Sequence, residues 1–140
     1  MISFHFENTE RPSFFQQKEV SRWIKNTAVF YGKRAGNIVY IFCTDECILK
    51  INNEFLQHNY YTDIITFDYS EENIISGELF ISLDTVKTNA KKFSESFEKE
   101  LLRVIIHGIL HLCGQNDQTP EEQAEMTQKE NRALTATVFL

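Results

Sequence analysis

His107 and His111 stand four residues apart in the most apolar stretch of the chain. On a helix that spacing puts both imidazoles on one face, about one turn apart, where they can hold one ion. Gly108 lies between them, and a mid-helix glycine costs roughly 1 kcal/mol relative to alanine. Its presence predicts that something packs closely against the helix there. Gly114 breaks the helix three residues after His111, so the chain can turn back and carry Gln115, Asn116, Asp117 and Gln118 towards the pair. Asp117 is the strong metal ligand of that loop. A His, His, Asp set leaves a tetrahedral Zn²⁺ one open position for water, the catalytic kind of site. The competing explanation is two core histidines bonded to neighbours, with Asp117 a turn residue. The glycine break and the carboxylate favour the metal.

A zinc protease would carry its general-base glutamate directly after His107, and Gly108 stands there instead. Glu98 and Glu100 lie upstream on the same helix, but Glu100 is seven residues from His107, too far to serve the same metal water without special geometry. Met126 follows Asp117 by nine residues and reads as a core residue of the last helix. Cys43, Cys47 and Cys113 are an odd count with no second pair to complete a structural zinc site, so they read as small buried apolar residues.

The elements that must position these groups follow from periodicity. Ile2, Phe4 and Phe6 alternate with polar residues, a half-buried strand. Ser13 and Gln16 have capping-box spacing ahead of a helix with Val20, Trp23, Ile24, Ala28 and Tyr31 inward, ended by Gly32. Asn37–Cys43 is a second strand. A short helix from about Asp45 turns Ile48, Ile51, Phe55 and Leu56 inward. Asp63–Tyr69 and Ser76–Leu83 are two more strands, expected to pair. Asp84 is expected to cap a helix with the stripe Val86, Ala90, Phe93 and Phe97. The next helix, about Glu95 to Cys113, is apolar nearly all round and so must be central. Thr119, Pro120 and Glu122 open the last helix with a cap, a first-turn proline and a capping box. The expected fold is α/β of the α+β type. It is one metal-dependent hydrolase domain over residues 1–140, with about four strands in a mixed sheet and about five helices. The metal histidines ride on the buried central helix.

With 140 residues the chain can bury a real core. No apolar run approaches the roughly 20 residues needed to cross a bilayer, and the charged, alternating N-terminus is unlike a secretory signal. A cytoplasmic protein is expected. The formal net charge of −6 disfavours non-specific nucleic-acid binding. Basic residues do gather at Lys87, Lys91, Lys92, Lys99 and Arg103, which is either a solvated helix face or a local patch for phosphate.

The segment His107-Gly-Ile-Leu-His111-Leu-Cys-Gly114, followed by Asp117, resembles the signature of the YbeY endoribonuclease family. That signature is His-Gly-x-Leu-His-Leu-x-Gly with a third ligand six residues after the second histidine. Thr62-Asp63-Ile64-Ile65-Thr66-Phe67 is similar to the family's Thr-Asp-Val-Leu-Ser-Phe, and Gly77-Glu78-Leu79 stands where it has Gly-Asp-Ile. Ile51-Asn52 and Phe55 match its Leu-Asn and aromatic positions. The resemblance runs from about Ile51 to Glu130; the first fifty residues match only in strand and helix pattern. It implies a zinc-dependent, single-strand-specific endoribonuclease in maturation of small-subunit ribosomal RNA and in ribosome quality control. It implies one Zn²⁺ per chain on His107, His111 and Asp117, and a ribosomal RNA or small-subunit partner rather than DNA or membrane. Two departures stand out. The family's usual third histidine is Asp117, and its usual arginine after the aromatic position is Leu56. Arg103, Lys87 and Lys91 are the nearest cations to replace that arginine. Two rivals remain: a zinc hydrolase of peptides or other esters, and a ribosome-assembly factor with a structural metal.

Overall fold

The computed structural model describes residues 1–55 and 62–137. Four stretches rich in β-branched and aromatic residues form one sheet: β1 (Ile2–Phe6), β2 (Arg34–Cys43), β3 (Ile64–Asp68) and β4 (Ile74–Ser82). The strand order is β1-β2-β4-β3. β1, β2 and β4 run parallel, and β3 pairs antiparallel with β4, as the two segments were expected to pair. Five helices complete the α+β fold: α1 (Gln17–Phe30), α2 (Asp45–Phe55), α3 (Leu83–Lys92), α4 (Phe97–Leu112) and α5 (Pro120–Thr135).

Alternation along each strand divides the apolar side chains between two faces. Phe4, Ile38, Tyr40, Phe42, Leu79 and Ile81 join Trp23 and Ile24 of α1 and Leu101, Ile105 and Ile109 of α4 in the main core. Cys43 and Ile65 point the other way, onto Ile48 of α2, with Phe67 and Phe80 beside them. The apolar character of α4 is explained by its place: α1, α3, α5 and the sheet all pack on it.

Two contacts key α4 to the sheet. The Tyr40 hydroxyl donates to the Ile105 carbonyl at 2.7 Å. Leu79, the cross-strand partner of Tyr40, occupies the space a Cβ on Gly108 would need, with Ile64 Cδ1 3.0 Å from the same point. The glycine between the histidines is therefore a close approach of helix to sheet, as its cost predicted.

Several local expectations are corrected. Ser13 and Gln16 form no capping box: Gln16 itself is the N-cap of α1 and its side chain makes no capping bond. Asp84 does not cap α3. Ser82 does, accepting from the Thr85 amide, because β4 runs straight into the helix and leaves its last residue extended at the junction. Phe93 is 58% exposed at the C-cap of α3, and Phe97 opens α4 rather than ending a stripe on α3. Ser94, at φ 56°, turns the chain between the two helices and breaks the stripe. Ser96 caps α4, so that helix starts two residues later than Glu95. Phe55 is exposed, not inward; Leu56 lies outside the described residues.

Candidate metal centre

α4 ends at Leu112, and Gly114 at φ +103° reverses the chain, a conformation that suits glycine. The Gly114 and Gln115 amides donate to the His111 and Leu110 carbonyls, closing the helix end. Beyond it the loop is tied to the start of α5. Glu122 Oε1 accepts from the Gln118 and Thr119 amides, Thr119 Oγ1 accepts from the Glu122 amide, and the Gln115 side chain donates to the Asn116 carbonyl. The expected capping box at Thr119 is thus present and fixes the C-terminal flank of Asp117, while Gln115 holds the other flank at Asn116. These backbone and side-chain bonds to Glu122 hold its carboxyl below the usual carboxylate range.

The loop delivers Asp117 to the two histidines. His107 and His111 stack edge to face, ring centroids 4.6 Å apart. Asp117 Oδ2 lies 3.4 Å from His107 Nε2 and 3.3 Å from His111 Nε2. One donor atom from each of the three lies within 4.8 Å of the others, and no other such cluster of His, Cys, Asp and Glu occurs among the described residues. These separations exceed an ordinary N–H···O length. They equal the edge of a tetrahedral site: ligands about 2.0–2.1 Å from one ion lie roughly 3.3–3.4 Å apart. The residues present therefore fit a divalent metal.

His107 is held from behind. Its Nδ1 lies 2.6 Å from Glu130 Oε2, and Arg103 Nη1 donates to Glu130 Oε1 at 3.1 Å. Burial pulls the His107 pKa down, but Glu130, Asp117 and Asp63 together outweigh it and leave it raised.

A cleft of about 760 Å³ opens over these groups. Its walls include Asp63, Thr66 and Asp68 along β3 and its approach, and Glu100, Arg103 and Val104 on α4. Burial pushes up the carboxyl of Asp63 and that of Glu100. Five carboxylates line the cleft (Asp63, Asp68, Glu100, Asp117 and Glu130), against Arg103 as the one guanidinium or ammonium among its described residues. Of the three cations expected to replace the family's arginine, Arg103 thus reaches the site. Lys87 lies on α3 with its ammonium over the Phe97 ring at 5.3 Å; neither it nor Lys91 is among the described residues lining the cleft. Local sequence patterns did not single out Glu130 or Asp63 for a role, and set Glu100 aside as distant. Met126 is buried on α5, as a core residue should be. The three cysteines are free.

A match to the family described as endoribonuclease YbeY extends over residues 2–138. The chain belongs to that family. A YbeY relative named "Endoribonuclease YbeY" from Phocaeicola vulgatus is 57% identical over 134 residues, covering 96% of each chain. One of the same name from Parabacteroides distasonis is 58% identical over 133 residues, covering 95% of this chain and 93% of its own. A solution structure of a Thermotoga maritima protein superposes with a TM-score of 0.70 at 27% identity, covering 96% of this chain and 87% of that one. YbeY membership thus extends the resemblance into the first fifty residues, where motifs were lacking. Among the described residues no helix is long and apolar enough to cross a membrane.

Proposed function

We propose that residues 1–140 form one metal-dependent hydrolase domain: an endoribonuclease that cuts single-stranded RNA with one Zn²⁺ on His107, His111 and Asp117. The biological setting we infer is cytoplasmic maturation of small-subunit ribosomal RNA and ribosome quality control. The name shared by the relatives supports the RNA substrate. The observation that carries the metal is Asp117 Oδ2, set 3.3 and 3.4 Å from two imidazole nitrogens.

When bound, a divalent ion supplies Lewis acidity, polarising a phosphoryl oxygen and acidifying water enough for attack near neutral pH. The chain's own residues do the rest. His107, His111 and Asp117 fix where that charge sits. Arg103 is the side chain placed to take a phosphate oxygen, since it lines the same cleft. Asp63, Asp68 and Glu100 would repel a phosphodiester on their own, so the cleft suits RNA only with a cation held in it. Three protein ligands leave a fourth position open, and that favours a working metal over a purely structural one.

The test is metal analysis of the purified protein together with cleavage of a single-stranded RNA. About one transition-metal ion per chain, and cleavage lost on chelation and restored by Zn²⁺, are expected. An unstructured protein should survive the same treatment. Arg103→Ala should weaken RNA binding and lower the salt slope by about 0.7, one phosphate contact on a single strand; Lys87→Ala should not. Absence of metal after reconstitution would falsify the proposal.

A further inference from the structure

One carboxylate serves two residues of α4. Arg103 and His107 are four apart and share a helix face. Glu130 reaches both from α5: Oε2 meets His107 Nδ1 at 2.6 Å, and Oε1 accepts from Arg103 Nη1 at 3.1 Å. The Glu130 side chain is only 9% exposed. A carboxylate taken out of water needs donors, and both of its oxygens find them inside the protein. This contact also decides what His107 can offer. A proton on Nδ1, held by Glu130, leaves the lone pair on Nε2, and Nε2 is the atom that faces Asp117.

We propose that Glu130 is the positioning residue of the metal centre: it holds His107 as the Nδ1–H tautomer with Nε2 bare, and Arg103 holds Glu130 in that pose. The proposal rests on the metal-dependent reading above. Glu130 touches neither ion nor RNA; it acts through His107. A free imidazole exchanges its proton between two nitrogens and can turn its ring. A carboxylate behind it removes both freedoms and makes the ligand more basic. Arg103 then has two tasks. Nη1 is engaged by Glu130 and the residue also lines the cleft, where the guanidinium's remaining donors would serve a phosphate.

The experiment measures Zn²⁺ affinity by chelator competition in the full chain. The variants are Glu130→Ala, Glu130→Gln and Arg103→Met, with circular dichroism of each metal-free protein as the check on folding. Glu130→Ala should bind Zn²⁺ about 10–100-fold more weakly. Glu130→Gln keeps an amide oxygen that can still accept the Nδ1 proton, and should retain more affinity than the alanine variant. Arg103→Met should lose less than Glu130→Ala. A second readout needs no variant. In metal-free wild type, above the His107 titration, ¹⁵N shifts should show the proton on Nδ1. A wild-type spectrum with the proton on Nε2 overturns the proposal, even if Glu130→Ala fails to fold. So does a Zn²⁺ affinity within twofold of wild type in both Glu130 variants; the metal-dependent function would then survive. Wild type that binds no Zn²⁺ overturns that function, and this proposal with it.

Discussion

Two half-buried aspartates sit near helix starts and have opposite surroundings. Asp45, first in α2, accepts from the Ser82 hydroxyl at 2.6 Å and from the Thr85 hydroxyl in a shorter contact. Its own amide donates to Asp84, and Ser82 in turn caps α3 through the Thr85 amide. Each contact in this cluster pairs a donor with an acceptor. Asp117 faces two imidazole nitrogens at 3.3 and 3.4 Å. In the tautomer proposed for His107, with its proton on Nδ1 towards Glu130, the carboxylate and Nε2 are acceptors that face one another. The first arrangement welds α2 to α3. The second turns one atom from each of three side chains towards a common point, the arrangement our proposed metal would use.

The strongest way to break this contrast is to remove each carboxylate in turn. Asp117→Ala should lower metal affinity by at least about 100-fold, because one of the three proposed ligands is gone. Its metal-free melting temperature should stay close to wild type. Zn²⁺ at 100 times the wild-type Kd should stabilise wild type by about 2.7 kcal/mol and leave Asp117→Ala at that same concentration almost unmoved. Thermal melts with and without the ion read both effects.

Asp45→Ala should do the reverse. The buried Ser82 hydroxyl and that of Thr85 lose their acceptor, at a cost of about 1–3 kcal/mol. Urea titration measures that cost, and Zn²⁺ affinity should remain within twofold of wild type. A matching loss of affinity would show that the two clusters are not independent.

Asp117→His sharpens the contrast at smaller amplitude. An open centre accepts any ligand of suitable reach, so Zn²⁺ binding should stay within about tenfold of wild type. Isothermal titration would decide it. Loss of binding would mean that the loop after Gly114 cannot carry the longer ring into place.

The smallest effect concerns Glu100, whose carboxyl is raised by burial. A raised folded-state pKa favours folding below the unfolded value, about 4.3, and that advantage is lost as pH rises through the folded one. Glu100→Gln should therefore melt slightly higher than wild type at neutral pH, and the difference should shrink or reverse in acid. A constant difference across the range would assign it to packing.

Much of the centre was legible because its three proposed ligands lie close together in the chain, from His107 to Asp117. The spacing of His107 and His111, the glycine between them and the break at Gly114 are all local signals, and each has a physical cause in the fold. Thr119 and Glu122 were legible for the same reason. Glu130 was not. It comes 23 residues after His107, on a helix whose many charged residues otherwise face water, and only the packing of α5 on α4 shows which of them turns inward. The misplaced cap at α3 has a related origin. Ser82 and Asp84 are both good capping residues, and the extent of β4 decides between them. Asp63 and Glu100 gain their raised carboxyls from burial in a cleft that no local pattern encodes.

The bond from Tyr40 to the Ile105 carbonyl has a further consequence. It works as an indexing pin between two sliding parts. Apolar surfaces resist separation but tolerate translation, since one methyl group replaces another at little cost. A directed bond does not, and this one stands next to the Leu79–Gly108 contact in the sheet register. Together they set how far α4 is advanced along β2 and β4, and so the height at which two imidazoles meet a loop anchored elsewhere. The tolerance of the centre is thus machined in the middle of the sheet, by a phenol pinned to the helix two residues before His107.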